Sequence, residues 1–236
     1  LVTAGLPLLV LVPPLSGFQQ QRVWIDSFAD AGIFVLLALG LNIVVGLAGL
    51  LDLGYAAFFA IGAYVYAYSS SSFVGLHTPF WPMLIIGALV AATFGILLGA
   101  PTLRLRGDYL AIVTLGFGEI VPVVFTNSDS LTNGTNGISG IDRPSLPGIE
   151  FGASNPLPYY LTMMAIITVV LILVYRLQDS RVGRAWMAIR EDELAASMMG
   201  VPLMRTKLAA YAVGAFAGGL GGVAYATHVG GVIPDT

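Results

Sequence analysis

The chain of 236 residues is 57% hydrophobic and carries only 23 charged side chains, or 10% of its residues. Soluble globular chains carry about 25%. This composition excludes most soluble classes, and a net charge of -3 without a basic patch argues against a nucleic-acid partner. Because the sequence has no cysteine, it has neither a disulfide framework nor thiolate chemistry.

The charges are absent from five long runs, each of which is long enough to cross a bilayer. We therefore expect an all-α, polytopic transmembrane bundle that forms a single domain over residues 1–236. Since the chain begins at Leu1 and stops at Thr236 just after an apolar run, we expect it to be a fragment. Hydropathy predicts about seven membrane segments, at 2–17, 29–47, 51–69, 82–100, 109–126, 158–177 and 207–230.

The apolar stretch 29–69 is too long for one crossing. Gly46, Gly49 and Gly54 surround Asp52 near its middle, where glycine permits a turn or a break. Two alternatives are open here. Either the chain turns between two spans, or a single helix is broken at membrane depth, which is tolerated where protein buries the irregular backbone.

Basic residues predict the orientation of the bundle. Six of the ten basic residues lie between positions 176 and 207, so we expect this loop to be cytoplasmic. Two helices earlier, Arg104 and Arg106 fall on the same side by parity. The loop 127–157 then faces outward; it is rich in Asn, Ser, Gly and Pro.

Small residues recur at every fourth position in two of the predicted helices, which lets helix backbones approach closely in a membrane. This pattern indicates tight helix crossings, although a sliding face in a transport cycle is an alternative. The two ladders are Gly87, Ala91, Gly95 and Gly99, and Gly214, Gly218 and Gly222.

Three polar side chains in apolar sequence are candidates for a substrate path: Asn42, Asp52 and Glu119. Glu119 follows Asp108 by 11 residues, which places it about 16 Å deep, where a carboxylate is costly. Either it lines a permeation path or it bonds a neighbouring helix. Asp52 is expected to lie at the helix break and to cap backbone N–H groups at a helix N-terminus. His77 and His228 are too few and too far apart to predict a metal site.

The segment 178–202 is patterned as a short amphipathic helix. Asp179 or Ser180 can cap its start, and Gly200 followed by Pro202 stops it. One face is predicted to hold Trp186, Ile189, Ala196 and Met199, and Arg190, Glu191, Asp192 and Glu193 form a charged cluster elsewhere. Such a helix lies on the membrane, remains solvated or docks onto a partner protein; four mixed charges favour the partner.

Several motifs that mark particular classes of membrane protein are missing from the sequence. No phosphate loop of the type G-x-x-x-x-G-K-[ST] occurs, and no potassium-channel filter or cluster of catalytic side chains is present. We therefore expect no catalytic chemistry in this chain, with an intramembrane enzyme left open as an alternative. The other classes that stay open are a transport subunit, a proton-coupled secondary transporter that uses Glu119 and a membrane scaffold.

Longer motifs carry a family resemblance. The runs Leu103–Ile120 and Leu39–Tyr55, together with Gly183-Arg184-Ala185-Trp186 and Arg190-Glu191-Asp192-Glu193, resemble the LivM-type permease of branched-chain amino acid ABC transporters. The similarity runs from about Phe28 to the end of the chain. Ala195-Ala196 followed by Gly200 is similar to the loop by which such permeases engage their ATPases, with Leu194 where that motif has Glu.

The resemblance implies an inner-membrane importer for branched-chain or other apolar amino acids. Its partners would be a second, LivH-type permease, two cytoplasmic ATPases that bind the ATP, an external amino-acid-binding protein and the lipid bilayer; no cofactor is implied for this chain. The segment 178–202 would then couple the bundle to the ATPases. The coupling residues would be Gly183, Arg184, Trp186, Arg190, Glu191, Asp192, Glu193, Ala195, Ala196 and Gly200.

Overall fold

The computed structural model describes residues 18–103, 105, 107–145, 151 and 156–234, with the backbone alone for residues 18–22 and 108. Within these residues the chain forms nine α-helices and one two-stranded antiparallel sheet. A π-helical turn, Asn42–Leu47, follows the first helix. The elements are α1 Phe18–Leu41, α2 Ala56–Ser69, α3 Phe80–Thr102, α4 Asp108–Thr126, α5 Asp129–Thr132, β1 Ile138–Ser139, α6 Leu157–Gln178, α7 Arg181–Glu191, α8 Glu193–Met198, α9 Leu203–Val229 and β2 Gly231–Val232.

Five helical segments in the described residues are long and apolar enough to cross a bilayer: Val23–Leu47, Phe80–Thr102, Tyr109–Thr126, Leu157–Gln178 and Leu203–Val229. Helix α2 is apolar as well, but its 14 residues fall short of the roughly 20 that a crossing needs. The predicted segment 2–17 lies outside the described residues. The helical membrane bundle is therefore confirmed, whereas the count of seven spans is not.

The predicted helix bounds differ most at the beginning of three helices. Helix α1 begins at Phe18 instead of 29, because Asp26 and Asp30 belong to its outer end. Helix α2 begins at Ala56 instead of 51, because the preceding residues are not helical. Helix α9 begins at Leu203 instead of 207, since the apolar face of its first turn packs inward although Arg205 is exposed.

Helix α9 lies at the centre of the bundle and packs against α1, α2 and α3. Its backbone touches theirs almost directly: a Cβ added at Gly222 would lie 2.0 Å from the carbonyl oxygen of Phe59 in α2. A Cβ added at Gly95 of α3 would lie 2.7 Å from the Cβ of Ala215. The two small-residue ladders are therefore contact lines between helices, as the packing interpretation predicts.

The helix break predicted around Asp52 is present. The π-helical turn ends at Ala48, Gly49 adopts a left-handed φ of 69°, and the chain stays irregular until α2 begins at Ala56. Because α1 and α2 run in opposite directions, the break is a turn between two helices. Most of this irregular segment, residues 48–55, is buried by protein, which satisfies the condition for such backbone at membrane depth.

Contacts between connections define the two ends of the bundle. At one end β1 pairs with β2, and Nδ1 of His77 lies 2.6 Å from Oδ2 of Asp142. At the other end Arg190 contacts the π-helical turn. This second end carries the basic segment 176–207 that the sequence assigns to the cytoplasm. The outward position of loop 127–157 stays a prediction, and Arg104 and Arg106 lie outside the described residues.

Replacing Gly222 with Ala tests the close helix crossing. Because the new Cβ would overlap the Phe59 carbonyl oxygen, which is backbone and cannot rotate away, we expect most of the full-length protein to be lost from the monodisperse detergent-soluble fraction. The matched control is Gly116→Ala in α4, where nothing lies within 4 Å of the new Cβ. Equal yields of the two variants, measured by size-exclusion chromatography, would contradict the crossing.

Candidate functional site

The candidate functional site is the segment that comprises α7 and α8, which we call the coupling segment (residues 180–200). Its first turn is capped by Ser180, whose Oγ accepts a hydrogen bond of 3.1 Å from the Gly183 backbone N–H. A Cβ at Gly183 would lie 2.2 Å from the Leu177 carbonyl oxygen. Glycine at this position therefore lets α7 fold back directly against the end of α6.

Trp186 anchors α7 to the bundle. The side chain is completely buried, and its indole Nε1–H donates a hydrogen bond of 2.7 Å to the Thr206 carbonyl oxygen in the first turn of α9. Buried indole groups need such an acceptor. Ile189 is buried on the same face of α7, so the predicted apolar face of this helix is confirmed.

A break at Asp192 divides the predicted single helix into two. Asp192 has extended backbone, with φ of -154° and ψ of 110°, and its Oδ1 caps α8 by accepting hydrogen bonds from Leu194 N–H and Ala195 N–H at 2.8 and 3.0 Å. The break changes the direction of the chain. Ala196 is buried as predicted, but Met199 is 85% exposed, so its predicted place on the buried face is wrong.

A buried ion pair holds α8 to α9. Nζ of Lys207 lies 2.8 Å from Oε1 of Glu193, and Lys207 is only 5% exposed. A lysine ammonium with so little access to water depends on its counter-charge. Sequence reasoning missed that Lys207 anchors α8; as the chain's only lysine, at the start of an apolar helix, it carried a signal that could have found it.

Arg190 joins the coupling segment to the turn after α1. Its Nη1–H donates a hydrogen bond of 2.5 Å to the Gly46 carbonyl oxygen in the π-helical turn. Gly49 packs against the same side chain, because a Cβ there would lie 2.8 Å from Cγ of Arg190. Arg190 and Glu193 are thus used for contacts within the chain, whereas Glu191 is exposed.

The structure places all ten predicted coupling residues in or beside α7 and α8. Arg184 donates a hydrogen bond of 2.6 Å to the Asp179 carbonyl oxygen, Ala195 is exposed, and Gly200 ends the segment with a left-handed φ of 85°. The prediction missed the apolar side chains that the segment exposes. Leu194, Met198 and Met199 are 67%, 79% and 85% exposed; we call them the apolar patch.

Asp52 is buried inside the bundle, where it orders the irregular segment. Its Oδ1 accepts a hydrogen bond of 2.9 Å from the Gly54 backbone N–H within the irregular segment. Among the described residues helix α2 has no side-chain cap, so the predicted capping of a helix N-terminus by Asp52 is not found. The neighbouring Leu53 N–H donates to Oγ1 of Thr114 in α4 at 3.0 Å. The segment is therefore attached to α4 as well as to α9.

Asn42 and Glu119 occupy different surroundings from Asp52. Asn42 is the first residue of the π-helical turn and is exposed, and Glu119 is exposed on α4. None of the cavities described for the chain is lined by two of the three candidates. The structure does not bring the predicted substrate-path residues into one site.

The end of the bundle opposite the coupling segment holds a polar cluster that sequence reasoning missed. Nε2 of His228 lies 3.0 Å from Oδ1 of Asp30 and 3.5 Å from Oδ1 of Asp26, and the imidazole stacks on Tyr159 with ring centroids 4.5 Å apart. The spacing of the two aspartates, one helical turn apart, was the only signal. No group of three metal-binding side chains occurs in the residues that the structure describes.

The long apolar helices define a polytopic helical membrane protein, and the family match assigns it to the transport permeases. The chain belongs to the family described as branched-chain amino acid transport system / permease component, whose model matches residues 24–236. No solved structure gives a significant match.

Three relatives that match the chain individually are also named as permease proteins. The chain is 41% identical over 240 residues to the high-affinity branched-chain amino acid transport system permease protein LivM of Escherichia coli, covering 93% of this chain and 56% of that protein. It is 24% identical to the probable LivM permease of Methanocaldococcus jannaschii, covering 86% and 67%. It is also 26% identical to the permease protein LivH of Salmonella typhimurium, covering 92% and 73%. The chain thus spans about half the length of the E. coli relative.

Glu193→Gln tests the anchoring of α8. Removing the counter-charge leaves the buried Lys207 ammonium unpaired, and breaking a buried pair costs about 3–5 kcal/mol, with less expected here because Glu193 is a third exposed. We expect a lower thermal unfolding midpoint for the full-length protein in detergent. The matched control, Glu191→Gln, alters an exposed carboxylate two residues away and leaves the midpoint unchanged. Equal midpoints for the two variants would contradict the anchoring.

Proposed function

We propose that the chain is the membrane-spanning part of a permease subunit that imports branched-chain or other apolar amino acids, driven by separate ATPase subunits. The observation that carries this proposal is the coupling segment, which is fixed to the bundle and exposes an apolar patch. The family membership and the printed function of the E. coli relative support the substrate class. The protein would lie in the inner membrane and catalyse no reaction itself.

The apolar patch is the proposed contact with an ATPase subunit. Three large apolar side chains at one end of the bundle, all more than half exposed, favour a protein partner over solvent. The residues that anchor the segment lie on its other side, so force applied to the patch passes into α9 and the π-helical turn. ATP would be bound by the partner, since the chain itself has no phosphate loop.

The exposed face of α4 is the proposed contact with a second, LivH-type permease. Helix α4 is the least buried of the candidate spans, and it carries Glu119 among exposed apolar side chains. Contact with a second protein would give this carboxylate polar partners away from lipid. Glu119 and Asn42 would then border the substrate path between the subunits, and Asp52 would lie behind it.

The outer end of the bundle is the proposed receiver of an external amino-acid-binding protein. Loop 127–157 lies at this end, where β1 pairs with β2 and His77 pairs with Asp142, so the loop is tied to α2 and α9. A proton-coupled secondary transporter is not favoured, because the family consists of permease components of a transport system.

The double substitution Met198→Glu and Met199→Glu tests the apolar patch. In proteoliposomes that hold the full-length permease, its partner permease, the ATPases and the binding protein, we expect at least a tenfold loss of ATP-driven leucine uptake, because carboxylates would be buried in an apolar contact. The matched control is Met198→Leu with Met199→Leu, which changes the same two side chains but keeps the patch apolar and should retain uptake.

Uptake that is unchanged in the double glutamate variant would contradict the role of the patch. Uptake that persists without any ATPase would contradict the wider proposal. Co-purification of the ATPases with each variant distinguishes lost assembly from lost coupling.

A further inference from the structure

A small cavity lies where the irregular segment meets three helices. It is lined by Asp52 and Gly54 of the segment, Thr102 of α3, Thr114 of α4 and Tyr211 of α9, together with apolar neighbours. Its volume is about 10 Å³. A cavity of roughly 10–15 Å³ holds one water molecule, so this cavity is matched to a single water and is far too small for an amino acid.

Two buried polar atoms at this cavity have no hydrogen-bond partner within the described residues. They are Oδ2 of Asp52, whose residue is 5% exposed, and the hydroxyl oxygen of Tyr211, which is 1% exposed. Buried polar groups are almost always satisfied by protein or by ordered water. Two unsatisfied atoms on one water-sized cavity therefore point to a ligand that bonds both.

The charge around Asp52 favours its neutral form. Among the described residues it takes part in no ion pair, and the buried Lys207 is already paired with Glu193. The titratable groups that interact with it electrostatically are Tyr55, whose hydroxyl donates to the Gly214 carbonyl oxygen, and Tyr211. An unpaired carboxylate in so apolar a place is unfavourable, whereas a protonated carboxyl needs only hydrogen-bond partners.

We propose that Asp52 and Tyr211 form an internal binding site for one water molecule, which fastens the irregular segment to α9. Oδ2 of Asp52 bonds the water, as a donor when the carboxyl is protonated and as an acceptor when it is ionised, and the Tyr211 hydroxyl bonds it from the other side. Asp52 then acts as a positioning residue for the segment.

The position of the water site between two attachments has a consequence for transport, and that consequence rests on the proposed function. Arg190 of the coupling segment bonds Gly46, just before the irregular segment, and Leu53 within it bonds Thr114 of α4. The water site lies between these two attachments. It therefore holds the piece of chain that connects the coupling segment to α4.

Infrared spectroscopy and a double-mutant cycle on the full-length protein in nanodiscs test the site. Because burial raises the pKa of the Asp52 carboxyl to about 6, we expect the wild type to show a carboxylic-acid C=O band at about pH 5 that Asp52→Asn removes. We expect Tyr211→Phe and Asp52→Leu each to lower the thermal unfolding midpoint by several degrees, and the double variant to fall no lower than the worse single variant, because both lose the same water.

Two further variants serve as controls. Tyr175→Phe removes a hydroxyl from an exposed tyrosine and leaves the midpoint unchanged. Asp52→Asn stays near the wild type, since its amide still accepts from Gly54 and donates to the water.

Additive losses in the cycle, absence of the carboxylic-acid band, or a midpoint of the wild type that rises with sodium chloride but not with choline chloride would each overturn the proposal. If Asp52→Leu does not fold, the carboxylic-acid band and the unfolding midpoint of Tyr211→Phe still test the proposal. None of these measurements requires transport, so failure of amino-acid uptake in the assembled system would count against the proposed function alone.

Discussion

Everything else in the structure depends on the close approach of α9 to its neighbours. Lipid offers no hydrophobic force that would press helices together, so they associate through packing and polar contacts. Glycines supply that packing here: Gly219 and Gly222 leave the α9 backbone in direct contact with α2 and α3. The first turn of the same helix then provides the acceptor for Trp186 and the ammonium for Glu193. The position of the coupling segment is consequently fixed by the helix at the centre of the bundle.

This arrangement explains how a cytoplasmic contact can act on the membrane region. Movement of α8 is transmitted to α9 through the Glu193–Lys207 ion pair, and movement of α7 is transmitted through Trp186. Arg190 provides a second route, into the turn after α1. Both routes consist of packed or hydrogen-bonded groups. Such contacts would let the chain respond as a unit, which the proposed coupling to a separate ATPase subunit requires.

Local signals in the sequence predicted the start of the coupling segment and the position of the helix break correctly. Ser180 was one of two predicted caps because small polar side chains satisfy the free N–H groups of a first helical turn. The glycines around Asp52 predicted the break, but Asp52 bonds Gly54 inside the irregular segment and does not cap α2. Met199 was misplaced because periodicity assumes one continuous helix, and the break at Asp192 depends on how α8 packs against α9. The contact of His228 with Asp26 and Asp30 joins residues about 200 positions apart; the spacing of the two aspartates hints at a shared partner, but a single sequence does not identify His228 as that partner.

The central claim is that the coupling segment and the bundle move as one rigid body. It is tested most directly by pulsed electron paramagnetic resonance on the full-length permease, freed of any native cysteine, with spin labels on cysteines introduced at Met198 in the apolar patch and at Leu97 on the exposed face of α3. A rigid attachment predicts one narrow distance distribution, which broadens when Trp186 is replaced by Phe, because the Thr206 carbonyl loses its donor. A broad distribution in the otherwise unaltered protein would contradict the rigid attachment.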